Sequence, residues 1–253
     1  MRFKPGLLQG SSSGSTGTGR VVTHDCGTSR SIGWFIEGII PIALFCKTPV
    51  EITFTGVTND GTDLSVDILK TVTLPLLQNF GVWGASLNVK RRGAMPKGGG
   101  IVEFKLPPVK KALTPLHVTE EGLVKRIRGI AFCAKISPNV VNRVVDSCRE
   151  VLNHVLPDVF INTDHYKGQM AGDSPGYSLS LVAETTTGVL LSVERTASSR
   201  LAPNAPGAVA GGGNWVGTSG VPGGNTGGPE LPEDIGREGA MMLLQEIHKG
   251  ALL

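Results

Sequence analysis

Hydrophobic positions along this chain recur at two alternating spacings, one helical and one of period two. Residues 28–45 hold apolar side chains at helical spacing, predicting a helix with Thr28 or Ser29 as N-cap and Pro41 as a kink or early stop. Residues 49–55, PVEITFT, alternate and are β-rich, which predicts a strand, and GVTNDGTD closes it with turn residues. A second amphipathic helix follows at 64–79, where Val66, Leu69, Val72 and Leu76 or Leu77 share a face and Gly81 supplies the stop. Two strands are predicted at 85–91 and 101–106, and a third at about 127–136.

The next helix is the best signalled. Ser137 stands as N-cap, Pro138 takes the first helical position, and Val140, Val141, Val144, Val145, Cys148, Val151 and Leu152 make one apolar stripe. Residues 158–163 read as a strand, 177–183 and 189–193 as a hairpin around ETTTG, and 232–249 as a closing helix. The class is α+β, an α/β sandwich in two lobes.

Composition qualifies this picture in three places. Residues 10–19 are Gly, Ser and Thr alone, and residues 200–229 contain ten glycines and four prolines, so both stretches predict flexible or disordered chain. The total charge is only +3, but between Lys90 and Arg128 ten cations stand against three anions. That stretch is either a phosphate-facing surface or a solvated lysine-rich face. Four cysteines without CxxC spacing point away from a disulfide framework and toward a reducing compartment, with Cys133 and Cys148 as buried thiols. The opening MRFKPGLLQG has no apolar core, and the run IGWFIEGIIPIALF is too short and interrupted to span a bilayer, so neither a secretory signal nor a membrane partner is expected.

Candidate chemistry is thin. RRGAMPKGGG at 91–100 fits neither GxxxxGK[ST] nor a GxGxxG that opens a helix. Its glycines allow positive φ, so it reads as a hairpin connection, with phosphate contact left open. His24, Asp25 and Cys26 are adjacent, a poor arrangement for one tetrahedral metal, so no metal is expected. Asp164 and His165 in TDHYKG follow a predicted strand, where acid–base groups often sit, but no nucleophile accompanies them.

RRGAMPKGGG followed by a hydrophobic strand resembles the Arg-Gly-x-x-Pro-x-Gly-Gly-Gly box of the RNA 3′-terminal phosphate cyclase family. GTSRSIGWFIEGIIPIALF, GVTNDGTDLSVDILKTVTLPLLQNFG, PVKKALTPLHVTEEGLVKRIRG and LVAETTTGVLLS are similar to further segments of it, so the resemblance covers nearly the whole chain. It implies repeated βαβαββ units with a smaller inserted α/β domain: core at 1–129, insert at 130–230, and a truncated return to the core at 231–253. Active members use ATP to adenylylate a histidine and close a 2′,3′-cyclic phosphate on RNA. Where they carry a Thr-Ala-Gly-Ser box and then a glutamine, this chain has Thr28, Ser29, Arg30, Ser31 and then Glu37. The family's nucleophilic histidine lies beyond the helix ending at His248–Lys249, which implies no catalytic residue here and a chain incomplete at both ends.

These departures resemble the cyclase-like branch, whose members are non-cyclising factors of small-subunit ribosome assembly. The resemblance implies a non-catalytic ribosome biogenesis factor of the nucleus and nucleolus, without cofactor. Its partners would be a ribosome-assembly GTPase, pre-rRNA and small-subunit processome proteins. The residues expected at RNA phosphate are Arg91, Arg92 and Lys97, then Lys125, Arg126 and Arg128. An ATP-dependent RNA 3′-phosphate cyclase and a pre-rRNA endonuclease are the alternatives.

Overall fold

The computed structural model describes residue 10 and residues 22–197 and 231–250. Past Gly10, the Gly/Ser/Thr run and the tract at 200–229 both fall outside them.

The structure holds two four-stranded mixed sheets, each with its own core, and the α+β class is as expected. The first unit runs β1 (Val22–Asp25), α1 (Ile32–Ala43), β2 (Val50–Gly56), α2 (Val66–Ile68), α3 (Leu74–Asn79), β3 (Ser86–Arg91) and β4 (Gly100–Leu106). This is a βαβαββ order, with sheet order β1-β2-β4-β3. Helix α1 makes the crossover between parallel β1 and β2. It buries Ile32, Ile36 and Ile40, one residue per turn, against a core that includes Phe54, Val102 and Phe104. Its N-cap is Ser31, not Thr28 or Ser29, because the Ser31 backbone is bridged to Val57 and its N–H donates to Asp63, which fixes where the coil can begin. Pro41 is carried inside the helix.

Between α2 and α3 lies a π-helical turn, Leu69–Thr73. Pro75 follows it and has no N–H to offer the Thr71 carbonyl, and the widened turn absorbs that missing bond. The Ser65 hydroxyl caps α2 by accepting from the Ile68 N–H at 3.2 Å.

The second unit runs β5 (Val124–Ala134), α4 (Pro138–Leu152), β6 (Val159–Tyr166), β7 (Gly176–Thr185), β8 (Leu190–Thr196) and α5 (Pro232–Lys249), with sheet order β6-β5-β7-β8. Helix α4 again links a parallel pair, β5 and β6, and its N-cap is Ser137 with Pro138 in the first turn. Helix α5 lies beside α4 at a glycine. A Cβ on Gly236 would stand 2.1 Å from the Ser147 hydroxyl and 2.2 Å from the Val144 carbonyl oxygen.

The structure moves both domain boundaries expected from the sequence. Strand β5 runs unbroken through residue 130, and Ile127 already points into the same core as Cys133. Helix α5 does not return to the first unit, since Ile235, Ala240 and Leu243 complete the second core. Asp164 and His165 belong to β6 rather than to a loop after it, because pairing with β5 continues to Tyr166. Cys133 and Cys148 are fully buried thiols, and burial pushes Cys148 up to about 12.

Candidate nucleic-acid interface

One face of sheet two carries α4 and α5. The other presents Arg126, Arg128, Ile130 and Phe132 from β5, and the C-terminal half of this second face is where the first unit docks. The docking piece is the connection between β3 and β4, the stretch RRGAMPKGGG. Its neighbour is the loop at 168–174, which opens with a 3₁₀ turn, Gly168–Ala171. The Arg92 N–H donates to the Met170 carbonyl, the Asp173 N–H to the Gly98 carbonyl, and the Lys97 N–H to the Ser174 hydroxyl. The Met95–Pro96 bond within the stretch is cis. Gly98 and Gly99 have φ of +64° and +78°, and a Cβ on Gly99 would stand 2.2 Å from the Asp173 carboxylate. The hairpin is therefore present as expected, and its glycines admit a second loop against its backbone.

Arg92 is at the centre of this junction and is 2 % exposed. Its Nη1 donates to Asp67 Oδ2 at 2.7 Å and to Asn59 Oδ1 at 3.2 Å, and its Nη2 donates to Asp67 Oδ1 at 2.6 Å. Asp164 lies 3.6 Å away, and the guanidinium covers the rings of Phe132 and Tyr166. Burial by itself would lower the arginine pKa, but the facing Asp67 carboxylate outweighs it and raises the pKa above the ordinary value. Arg92 is thus a correction to the expected set: it lies one residue past the end of β3, in the connection that docks on the second unit, and it is closed off from solvent there.

Glu194 on β8 extends the buried polar junction. Ser65 donates to it from hydroxyl and backbone N–H, and its Oε2 has no partner. Burial first, then the charges of Asp67 and Asp60, raise its pKa from 4.5 to about 7. The folded state therefore holds a proton that the unfolded chain releases near pH 4.5. The stabilisation is complete below that value and lost as pH rises through about 7. At about 1.4 kcal/mol per unit, stability is expected to fall by about 3–4 kcal/mol across this window. Urea midpoints at pH 5 and pH 8 measure it, and Glu194→Gln is expected to flatten the difference.

The other five expected residues sort by partner. Arg91 donates to Asp173 at 2.8 Å. Arg126 donates to Glu184 at 2.7 Å, and Arg128 binds Asp158 through both terminal nitrogens at 2.8 and 3.2 Å. The last contact holds the Asp158 carboxylate below its usual range. Lys97 and Lys125 are exposed and have no ion-pair partner among the described residues. The structure does not gather all five. Ala94 sits against Gly176, which pairs with Ala134, so Arg91 and Lys97 lie toward the C-terminal end of β5. Lys125, Arg126 and Arg128 occupy its N-terminal end. At about 3.3 Å per residue the two groups are roughly 25 Å apart.

Sequence reasoning missed Phe160. Alternation along VFINTDHY places it with Asn162 and Asp164 on the face that carries Arg128, and it is 58 % exposed. That alternation was the available signal. Among the described residues no group of three or more His, Cys, Asp or Glu is arranged to hold a metal ion, and no helix is long and apolar enough to cross a membrane.

Comparison with known proteins defines the class of this arrangement. The family model described as the RNA 3′-terminal phosphate cyclase (RTC) insert domain matches residues 119–248, which takes in the second unit from β5 to all but the last residue of α5. The chain is 45% identical over 250 residues, 98% of its length, to the human and the mouse RNA 3′-terminal phosphate cyclase-like proteins. It is 44% identical over the same span to the rRNA processing protein rcl1 of Schizosaccharomyces pombe. The chain belongs to the RNA 3′-terminal phosphate cyclase family, on its cyclase-like branch. It spans 58% of the length of each of these three relatives.

Proposed function

We propose that this chain acts in the processing of small-subunit pre-rRNA as a non-catalytic binding factor. It would work in the nucleolar processome alongside an assembly GTPase. The observation that carries the reading is the fission-yeast relative named for rRNA processing, 44% identical across 98% of this chain. The structure supports the RNA side of it with two exposed, unpaired lysines, Lys97 and Lys125, one toward each end of β5. Lysines in such settings hold RNA by its phosphates, which positions the strand without reading its bases.

Affinity capture of the chain from its own cells tests the reading. Small-subunit precursor RNA and a GTPase are expected together in the eluate, and a chain that elutes with neither overturns the assignment. Incubation with labelled ATP is expected to leave the protein unlabelled, and AMP on the protein would replace this reading with the cyclase. Lys97→Glu and Lys125→Glu are each expected to weaken RNA binding for all sequences alike and to lower the salt slope by about one. Filter binding across a salt series measures both effects.

A further inference from the structure

On the N-terminal half of the second face of sheet two, the β7 residues Ser180 and Val182 are buried while Phe160 and Arg128 stay open to solvent. In register, Arg128 lies between Phe160 on β6 and Val182 on β7, and Ile130 lies between Asn162 and Ser180. Phe160 is 58 % exposed, an aromatic ring beside a guanidinium on an open strand surface. Next to it runs a groove lined by Thr71 from the π-helical turn and by Arg128, Ile130, Ser180, Val182 and Leu190 of the sheet. Ser180 is 3 % exposed and its hydroxyl has no hydrogen-bond partner. A buried hydroxyl left unpaired is destabilising, which marks it as a group that a ligand's polar edge completes.

We propose that this half-face binds single-stranded RNA. One base stacks on Phe160, the adjoining phosphate meets Arg128 and Arg126, and a neighbouring base enters the groove with its polar edge at Ser180. The apolar floor of Ile130 and Val182 suits the face of a base, and the hydroxyl and carboxylate groups around it suit a base's donors and acceptors. The Glu184 carboxylate, also on the groove, accepts from an exocyclic amino group. Asp158 and Glu184 hold the two arginines in exposed pairs, which are individually weak, so a phosphate competes for the same donors. A duplex does not fit, because its bases are already stacked on one another and offer no free face to Phe160. The proposal rests on the pre-rRNA reading and locates one contact within it.

Fluorescence anisotropy of the 253-residue chain with a labelled pyrimidine-rich RNA of about ten nucleotides tests the site. The single strand is expected to bind at least about tenfold more tightly than the same sequence in a duplex. Phe160→Leu is expected to weaken single-strand binding about tenfold, and Phe160→Tyr to retain it, since stacking needs the ring and not merely an apolar side chain. Ultraviolet cross-linking of the wild-type chain to the same RNA is expected to yield a modified peptide containing Phe160. Wild-type affinity in Phe160→Leu, or equal affinity for the duplex, overturns the site. If Phe160→Leu binds normally while Lys97→Glu or Lys125→Glu binds poorly, the site fails and the pre-rRNA reading stands. If no RNA binds at all, both fail.

Discussion

Arg92→Ala is expected to destabilise the chain by about 3–5 kcal/mol, among the largest effects of any single side-chain truncation here. The substitution leaves the Asp67 carboxylate, 3 % exposed, without its counter-ion and two charged donors, with only the neutral Asn59 amide still donating to it. It also strips the cation from the faces of Phe132 and Tyr166, which lie 4.6 and 5.6 Å from the guanidinium carbon. Removing one member of a buried pair costs far more than the pair contributes, because a lone charge remains in a poorly solvated place. For that reason the double substitution Arg92→Met with Asp67→Leu is expected to be milder than either Arg92→Ala or Asp67→Ala. Urea unfolding of the wild type and these three variants forms the test, and a double substitution as costly as either single one would show that Arg92 and Asp67 do not act as a coupled buried pair.

Gly172→Ala is expected to cost about 3 kcal/mol or more. At φ +63° and ψ −155°, Gly172 occupies a backbone region that is nearly closed to other residues. The added Cβ would also fall 2.3 Å from the Arg92 carbonyl oxygen and 2.7 Å from that of Gly98. These are backbone atoms of the docking hairpin, so relief requires the two units to separate. Gly168, four residues earlier, provides the control. Its φ is +55°, but a Cβ there meets nothing within 4 Å, so Gly168→Ala is expected to cost only the 1–2 kcal/mol of left-handed strain, ~1 kcal/mol by the lower figure. Equal losses at the two positions, measured by urea midpoint, would contradict the close approach of the loops.

The hydrophobic pattern made most of the elements legible. Helix α4 was readable at both levels, since its apolar stripe and its Ser137–Pro138 start agree. The hairpin over RRGAMPKGGG was readable from its glycines and from the alternating strands beside it. Strand β1 was not, because VTHD is four residues long, exposed throughout, and held by parallel pairing to β2 nearly thirty residues away. The π-helical turn was also hidden, although Pro75 carried its cause. The domain boundaries were misplaced because α5 follows a glycine-rich tract in sequence yet packs on α4 in space.

The candidate site was legible in kind more than in detail. Two arginines in succession read as a basic patch, but β3 ends between them, and only the tertiary structure decides which of the two is closed in. Arg92 therefore became an internal clamp and Arg91 stayed at the surface with Asp173. The pairing of Arg126 and Arg128 with carboxylates brought by β7 and by the residue before β6 was equally invisible, since those partners lie 58 and 30 residues along the chain.

The most direct test of the account is ultraviolet cross-linking of this chain to RNA in its own cells, followed by sequencing of the attached fragments. The pre-rRNA reading predicts fragments concentrated in small-subunit precursor RNA, with cross-linked peptides from the N-terminal half of β5 and from β6. Fragments spread over cellular RNA without enrichment in that precursor would contradict it.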